Sequence, residues 1–183
     1  MKKLNQNYLI ICLMLFMGTV LPVKASQKSG EKREVGSFDK IEVSGAYVIT
    51  LVQGEAENVV IESAADLASK VITRVEGGTL KIYQDKHLKS DDKINLIVNF
   101  RNLSSIDCSG ANVINSSGAL KFTNLSFDAS GACKANLEFK VDKLDIDMSG
   151  AVNAVMKGSA TKVDLDISGA GKLLASELAA SDY

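Results

Sequence analysis

Four hexapeptides, IDCSGA from Ile106, FDASGA from Phe127, IDMSGA from Ile146 and LDISGA from Leu165, restrict this chain more than any other feature, and a fifth, IEVSGA, begins at Ile41. Aligned on Ser109, Ser130, Ser149 and Ser168 they recur at a nearly fixed interval, while Ser44 stands before Ser109 by close to three more intervals of that size. A catalytic constellation is built once. A phrase repeating with a period of about 20 residues points to a stacked array in which each repeat adds one layer.

Inside each copy apolar, acidic and apolar residues alternate. Ile106, Phe127, Ile146 and Leu165 open the motif, Cys108, Ala129, Met148 and Ile167 precede the serine, and Asp107, Asp128, Asp147 and Asp166 lie between; Ile41, Glu42 and Val43 are the early counterparts. Period two is the signature of a strand with one buried face. The glycine that follows, 45, 110, 131, 150 or 169, suits a corner where the chain needs positive φ and a Cβ would strike the adjacent layer. YVITLV, NVVIES, TLKIYQ and KINLIVNF also read as strands, separated by turn-rich VQGEAEN, EGGT and HLKSDD, with a short helical turn at AADLASKV. These features predict an all-β fold, a right-handed parallel β-helix or β-solenoid with about 19–21 residues per layer, the apolar column inside and the acids outside. A sandwich of antiparallel hairpins predicts Asn-Gly or Asp-Gly turns, and neither dipeptide occurs.

The N-terminus sets the compartment. Lys2 and Lys3 precede an apolar run from Tyr8 to Leu21 and a small-residue site at Val23-Lys24-Ala25, so residues 1–25 read as a secretory signal peptide cut before Ser26. The run is shorter than a bilayer span and stops at Pro22, the chain's one proline. Cys12 follows the bulky Ile11 inside the run, which does not make a lipobox. Residues 26–36 read as a short linker and 37–183 as a single β-solenoid domain, large enough for a sizeable core. The formal net charge is −1, and no run of Lys or Arg forms the footprint that phosphate binding requires, so nucleic acid is not an expected partner.

The repeated units, together with FDKIEVSGAYVITLVQG near the start and GGTLKIY in the middle, resemble the bacterial exported family described as "putative auto-transporter adhesin, head GIN domain". The resemblance covers about Val35 to Tyr183. It implies a β-helical exported domain with a surface or adhesive role, and it supplies no catalytic residues. Members usually continue through further Ser-Gly-rich layers, whereas this chain stops at LAASDY. The expectation is a chain that is incomplete or ends on an uncapped layer. Leu165, Ile167 and the leucines after Gly171 would then form an edge that self-associates end to end, or that further layers cover.

Cys108 precedes its Ser-Gly-Ala and Cys133 follows the next one, an offset of about 13 Å along a straight strand at ~3.3 Å per residue, against the roughly 7 Å that a disulfide tolerates. Two unpaired residues are expected, unless a bend at the intervening glycines brings them together. Asp107, Asp128, Asp147 and Asp166 form an outward row, extended by Asp145 and Asp164; Ca²⁺ could use these oxygens, but a flat strand face lacks the bent loop of a well-formed site. Lys134, Lys143, Lys157 and Lys162 are the expected counter-charges, with salt screening the rest. The acids recur in every layer rather than pairing in a cleft, His87 is the chain's one histidine and sits in a polar stretch, and only Arg33, Arg74 and Arg101 could hold an acidic sugar. There is no Gly-x-Ser-x-Gly elbow and no tryptophan. The reading is therefore an exported, non-enzymatic β-solenoid, a structural or adhesive surface module without catalytic, cofactor or metal residues, whose partner would be a surface protein or glycan. The alternative is a periplasmic or cell-surface domain that binds a ligand such as a glycan, with or without calcium.

Overall fold

The computed structural model describes residues 29–84 and 94–182. Residues 1–25, expected to be a signal peptide, and His87 lie outside them. Thirteen strands and one helical turn are present in the described residues: β1 Ser29–Glu34, β2 Lys40–Gly45, β3 Tyr47–Gln53, β4 Asn58–Ser63, α1 Ala65–Ala68, β5 Val71–Glu76, β6 Thr79–Gln84, β7 Ile94–Phe100, β8 Ser105–Gly110, β9 Val113–Ser116, β10 Leu120–Gly131, β11 Lys134–Gly150, β12 Asn153–Gly169 and β13 Lys172–Asp182. All strands belong to one sheet, which runs β1-β4-β7-β3-β9-β11-β10-β8-β2-β6-β5, with β12 on β11 and β13 on β12.

The all-β expectation holds, but the right-handed parallel β-solenoid does not: the sheet is mixed and curls into a nearly closed barrel. β4 pairs antiparallel with both β1 and β7, and β5 pairs antiparallel with β6. The long stretch between Ser44 and Ser109 is not three further layers, because β2 lies directly beside β8 with Ser44 opposite Ser109 and Gly45 opposite Gly110. The residues between them supply the antiparallel strands. The turn that betrays this is Gly77-Gly78, whose φ values of 57° and 79° fit a two-residue hairpin. The stretch expected as a linker contains β1. Its Arg33 closes the gap between the two ends of the sheet, donating to the backbone oxygens of Ala68 (3.0 Å) and Val71 (2.5 Å) beside β5.

The repeats themselves pair in parallel register. Ile106, Phe127, Ile146 and Leu165 are successive neighbours, as are Gly110, Gly131, Gly150 and Gly169. Each corner is tied to the one before: Ala132 N–H donates to Gly110 O (2.8 Å), Ala151 N–H to Gly131 O (2.7 Å) and Ala170 N–H to Gly150 O (2.9 Å). Ile106, Phe127 and Ile146 are buried. Leu165 is not: it is 51% exposed, because residues 163–169 of β12 pair only with β11, while β13 covers the earlier half of β12. Ile167, two residues on along the same strand, is exposed as well, and so is Leu174 of β13.

The cysteines are joined in a disulfide, contrary to the expectation of two free thiols. That expectation took the strand as straight. Cys108 and Cys133 instead flank a corner on either side, both point inward and are fully buried, and their Cα atoms lie 7.1 Å apart.

The corner glycines yield a direct test. Gly150 has φ of 89°, and a Cβ there would come within 2.7 Å of Gly131 O, whereas Gly54 has open space around it. Gly150→Ala is expected to cost about 1–3 kcal/mol from backbone strain alone, and Gly54→Ala less than about 0.5 kcal/mol, as read from urea unfolding midpoints.

Candidate functional site

Parallel register turns one acid per repeat into a continuous row. Glu42, Asp107, Asp128, Asp147 and Asp166 are successive neighbours on the outer face, at the ~4.8 Å spacing of adjacent strands. Partial burial raises the pKa of Asp107 above its ordinary value, and the charges of Asp128 and Glu42 add to the rise. Beside this row lies a shallow groove of about 340 Å³ lined by Asp128, Asp145, Asp147, Asp164 and Asp166.

The counter-charges are fewer than the four lysines expected. Lys143 bridges Asp145 (3.0 Å) and Asp164 (3.6 Å), and Lys162 reaches Asp164 (3.4 Å). The hydrogen bond that Lys143 donates to Asp145 heads the causes that raise the Lys143 pKa. Desolvation pushes the Asp164 pKa upward, but Lys162, Asp145 and Lys143 together pull it down and the net shift is downward. Lys157 is turned to Glu177 instead (2.9 Å), and Lys134 has no ion pair among the described residues. Ser126 donates to Asp128 at 2.8 Å. Among the described residues no three acidic, histidine or cysteine side chains converge where they could hold a metal ion; the strands hold the acids in a line.

None of the three arginines that could have held an acidic sugar stands free. Arg33 laces the barrel gap, Arg74 pairs with Glu76 (3.1 Å) and lies over the Tyr83 ring, and Arg101 donates to Glu55 O (2.7 Å). Of the motif serines, Ser109 donates to Val43 O (3.3 Å) on the adjacent strand β2.

The residue after each Ser-Gly-Ala was not read as a column, yet Tyr47, Asn112, Cys133 and Val152 are all buried there. Asn112 accepts from Tyr47 N–H (3.0 Å) and donates to Ser109 O (2.6 Å), which links two corners through one buried amide. An amide at a position otherwise filled by Tyr47, Cys133, Val152 and Gly171 was the available signal. The Tyr47 hydroxyl is buried without a hydrogen-bond partner among the described residues; burial pushes its pKa up to about 12, with Gln84 pulling the other way.

A second region escaped the sequence reading. Phe122 is half-buried, stacked on Phe100 (ring centroids 6.3 Å apart, planes within 9°) and tilted against Phe139. It lies between two open grooves of about 590 and 530 Å³, both of which also touch Lys121. With no tryptophan and few tyrosines, composition directed attention away from aromatic surfaces.

Residues 37–183 match the family described as "Putative auto-transporter adhesin, head GIN domain". Among solved structures the chain is similar to a "putative adhesin" from Bacteroides fragilis NCTC 9343 (20% identity, TM-score 0.77, covering 83% of this chain and 72% of that one). It is also similar to a "putative adhesin" from Parabacteroides distasonis ATCC 8503 (24%, TM-score 0.73, 79% and 63%). A third is a "putative lipid binding protein" from the same Parabacteroides strain (17%, TM-score 0.67, 83% and 75%). At these identities the likeness shows a shared fold. No curated protein matches the chain.

The acid row makes stability depend on pH. Since the folded state holds the Asp107 proton more tightly than the unfolded chain, its contribution is fully present below the ordinary value of 3.8 and is lost as pH rises through the folded value. Asp107→Asn is therefore expected to raise the melting temperature at neutral pH, and the gain should vanish at about pH 3. Melting curves across that range provide the check.

Proposed function

The chain belongs to the family "Putative auto-transporter adhesin, head GIN domain", and from that membership we propose that it is an exported, non-enzymatic structural or adhesive module of the cell surface. The observation that carries this reading is the family match over residues 37–183. Two features support it. The Lys2–Ala25 segment has the composition of a secretory signal. The most repeated polar phrase, Ser-Gly-Ala, is taken up in corner construction, where the backbone ladder of glycine and alanine uses it. Among the described residues no helix is long and apolar enough to cross a membrane.

The test is location. Residues 1–25 should be absent from the purified native protein, as read by intact mass, and protease added to intact cells should digest it. Full-length protein confined to the cytoplasm would defeat the proposal.

A second element concerns contact between copies. Leu165 (51% exposed), Leu174 (47%) and Ile167 (38%) are the exposed large apolar residues of the described chain; Leu165 and Ile167 lie on the strand edge at 163–169, and Leu174 is on β13. An unpaired apolar edge favours strand-to-strand association. Sedimentation across a concentration series up to about 100 μM, within the micromolar-to-millimolar range where exposed edges associate, should show self-association that Leu165→Lys with Ile167→Lys removes. A clean monomer would end this part of the proposal.

A further inference from the structure

We propose that the corner trough around Phe122 binds a neutral oligosaccharide chain; the inference rests on the surface-module reading and adds the chemical class of its partner. The sheet turns a corner at Phe122, and the residues stacked there in register shrink from Phe122 to Val141, Ala160 and Ala180. Val141 and Ala160 are buried with their side chains in the core, so the trough that runs across the strands here is floored by their backbone and walled by the outward side chains on either side. On one rim stand Lys121, Lys140 and Ser159; on the other stand Asp142 and Thr161. Past Phe122 the trough opens into the second groove, between the loop at Asn102 and the start of β10 at Lys121, Thr123 and Asn124.

What distinguishes this region is unspent polar capacity beside an aromatic ring. Gln53 commits its amide to the backbone, donating to Arg101 O (3.0 Å) and Lys121 O (2.9 Å) and accepting from Lys121 N–H (2.8 Å), and Asp39 accepts from Ser104. By contrast the side chains of Asn102, Thr123 and Asn124 are exposed and make no hydrogen bond among the described residues, and Lys121 forms no ion pair among them. The acidic wall is different, because there Lys143 and Lys162 are already bound to Asp145 and Asp164.

Three physical points select the ligand. Two lysines, 121 and 140, face two aspartates, 39 and 142, so the trough carries no net field to recruit an ion of either sign. The free groups are amides, a hydroxyl and an ammonium, which suit a surface of many hydroxyls, while the uncovered part of the Phe122 ring suits the apolar C–H face of a sugar. The trough is long, open and shallow, with rungs ~4.8 Å apart, about the span of one sugar ring, so an extended chain meets equivalent positions repeatedly. A lipid tail would need an enclosed apolar cavity instead.

Calorimetry with maltohexaose, laminarihexaose, xylohexaose and chitohexaose, and with phosphatidylcholine vesicles as the lipid arm, tests the proposal. At least one hexaose should bind with a Kd of about 1 mM or tighter. Phe122 packs against Phe100 and Phe139, so its removal risks the fold; Asn124→Ala and Ser159→Trp, which leave that packing alone, should each weaken binding at least tenfold at an unchanged melting temperature. Lys134→Ala, on another wall, should not. Binding of none of the four hexaoses, binding indifferent to both trough variants, or binding of vesicles alone would each overturn the proposal. If surface protein digested on intact cells binds no hexaose, this inference fails and the surface reading survives; cytoplasmic protein removes the surface reading itself.

Discussion

The repeated half of the barrel depends on how closely one glycine can approach the glycine beneath it. At Gly131 and Gly150 a Cβ would sit within 2.8 and 2.7 Å of the preceding glycine's carbonyl oxygen, a distance no other residue permits. The alanine that follows uses that same oxygen as its hydrogen-bond acceptor. Corner sterics and corner hydrogen bonding are thus a single contact, which sets the register of every strand leading into it. Once Gly110, Gly131 and Gly150 are stacked, Ile106, Phe127 and Ile146 must stack inside and Asp107, Asp128 and Asp147 outside.

That register also creates the molecule's electrostatic problem. A row of carboxylates on adjacent strands repels itself, and the offset is partial: Lys143 and Lys162 serve Asp145 and Asp164, while Asp107 is left with like-charged neighbours and a raised pKa. The acids alternate with the buried apolar residues, and this keeps strand parity unambiguous. A slip by one position would bury carboxylates in place of Phe127 and Ile146, a cost far above the mutual repulsion of exposed charges.

The repeat was legible because its cause is local: parity, corner glycine and interval are all written within a short phrase and its recurrence. The antiparallel half was not, since its pairings join segments far apart in sequence. Val59 meets Val98, and Glu31 meets Ile61, without any shared phrase to announce the partnership. The long interval from Ser44 to Ser109 looked like missing layers because spacing was taken as a count of rungs, whereas an insertion that returns to the same rung produces an equally regular number. Gly77-Gly78 was visible as a turn, but its two positive φ values, which make it a hairpin, come from the backbone. Distances misled for the same reason at Cys108 and Cys133, where a linear estimate ignored the corner between them. The Phe122 region was invisible in the sequence because it depends on which side chains remain unspent after folding, and Gln53 and Asn124 are indistinguishable in that respect until the backbone is placed.

The two halves solve the open-edge problem differently. In the antiparallel half the terminal strands are tied by the Arg33 side chain of β1, whose guanidinium donates to the carbonyls of Ala68 and Val71 at the β5 end. In the repeated half, β12 at 163–169 has neither such a side chain nor a partner strand on its outer side among the described residues, and its inward column lies open at Leu165 and Ile167. An arginine can substitute for a strand where two edges already approach each other, because it needs only donors and reach. It cannot cover an apolar column, since that requires side chains to exclude water. The apolar edge therefore stays open among the described residues, whereas the polar one is closed from within.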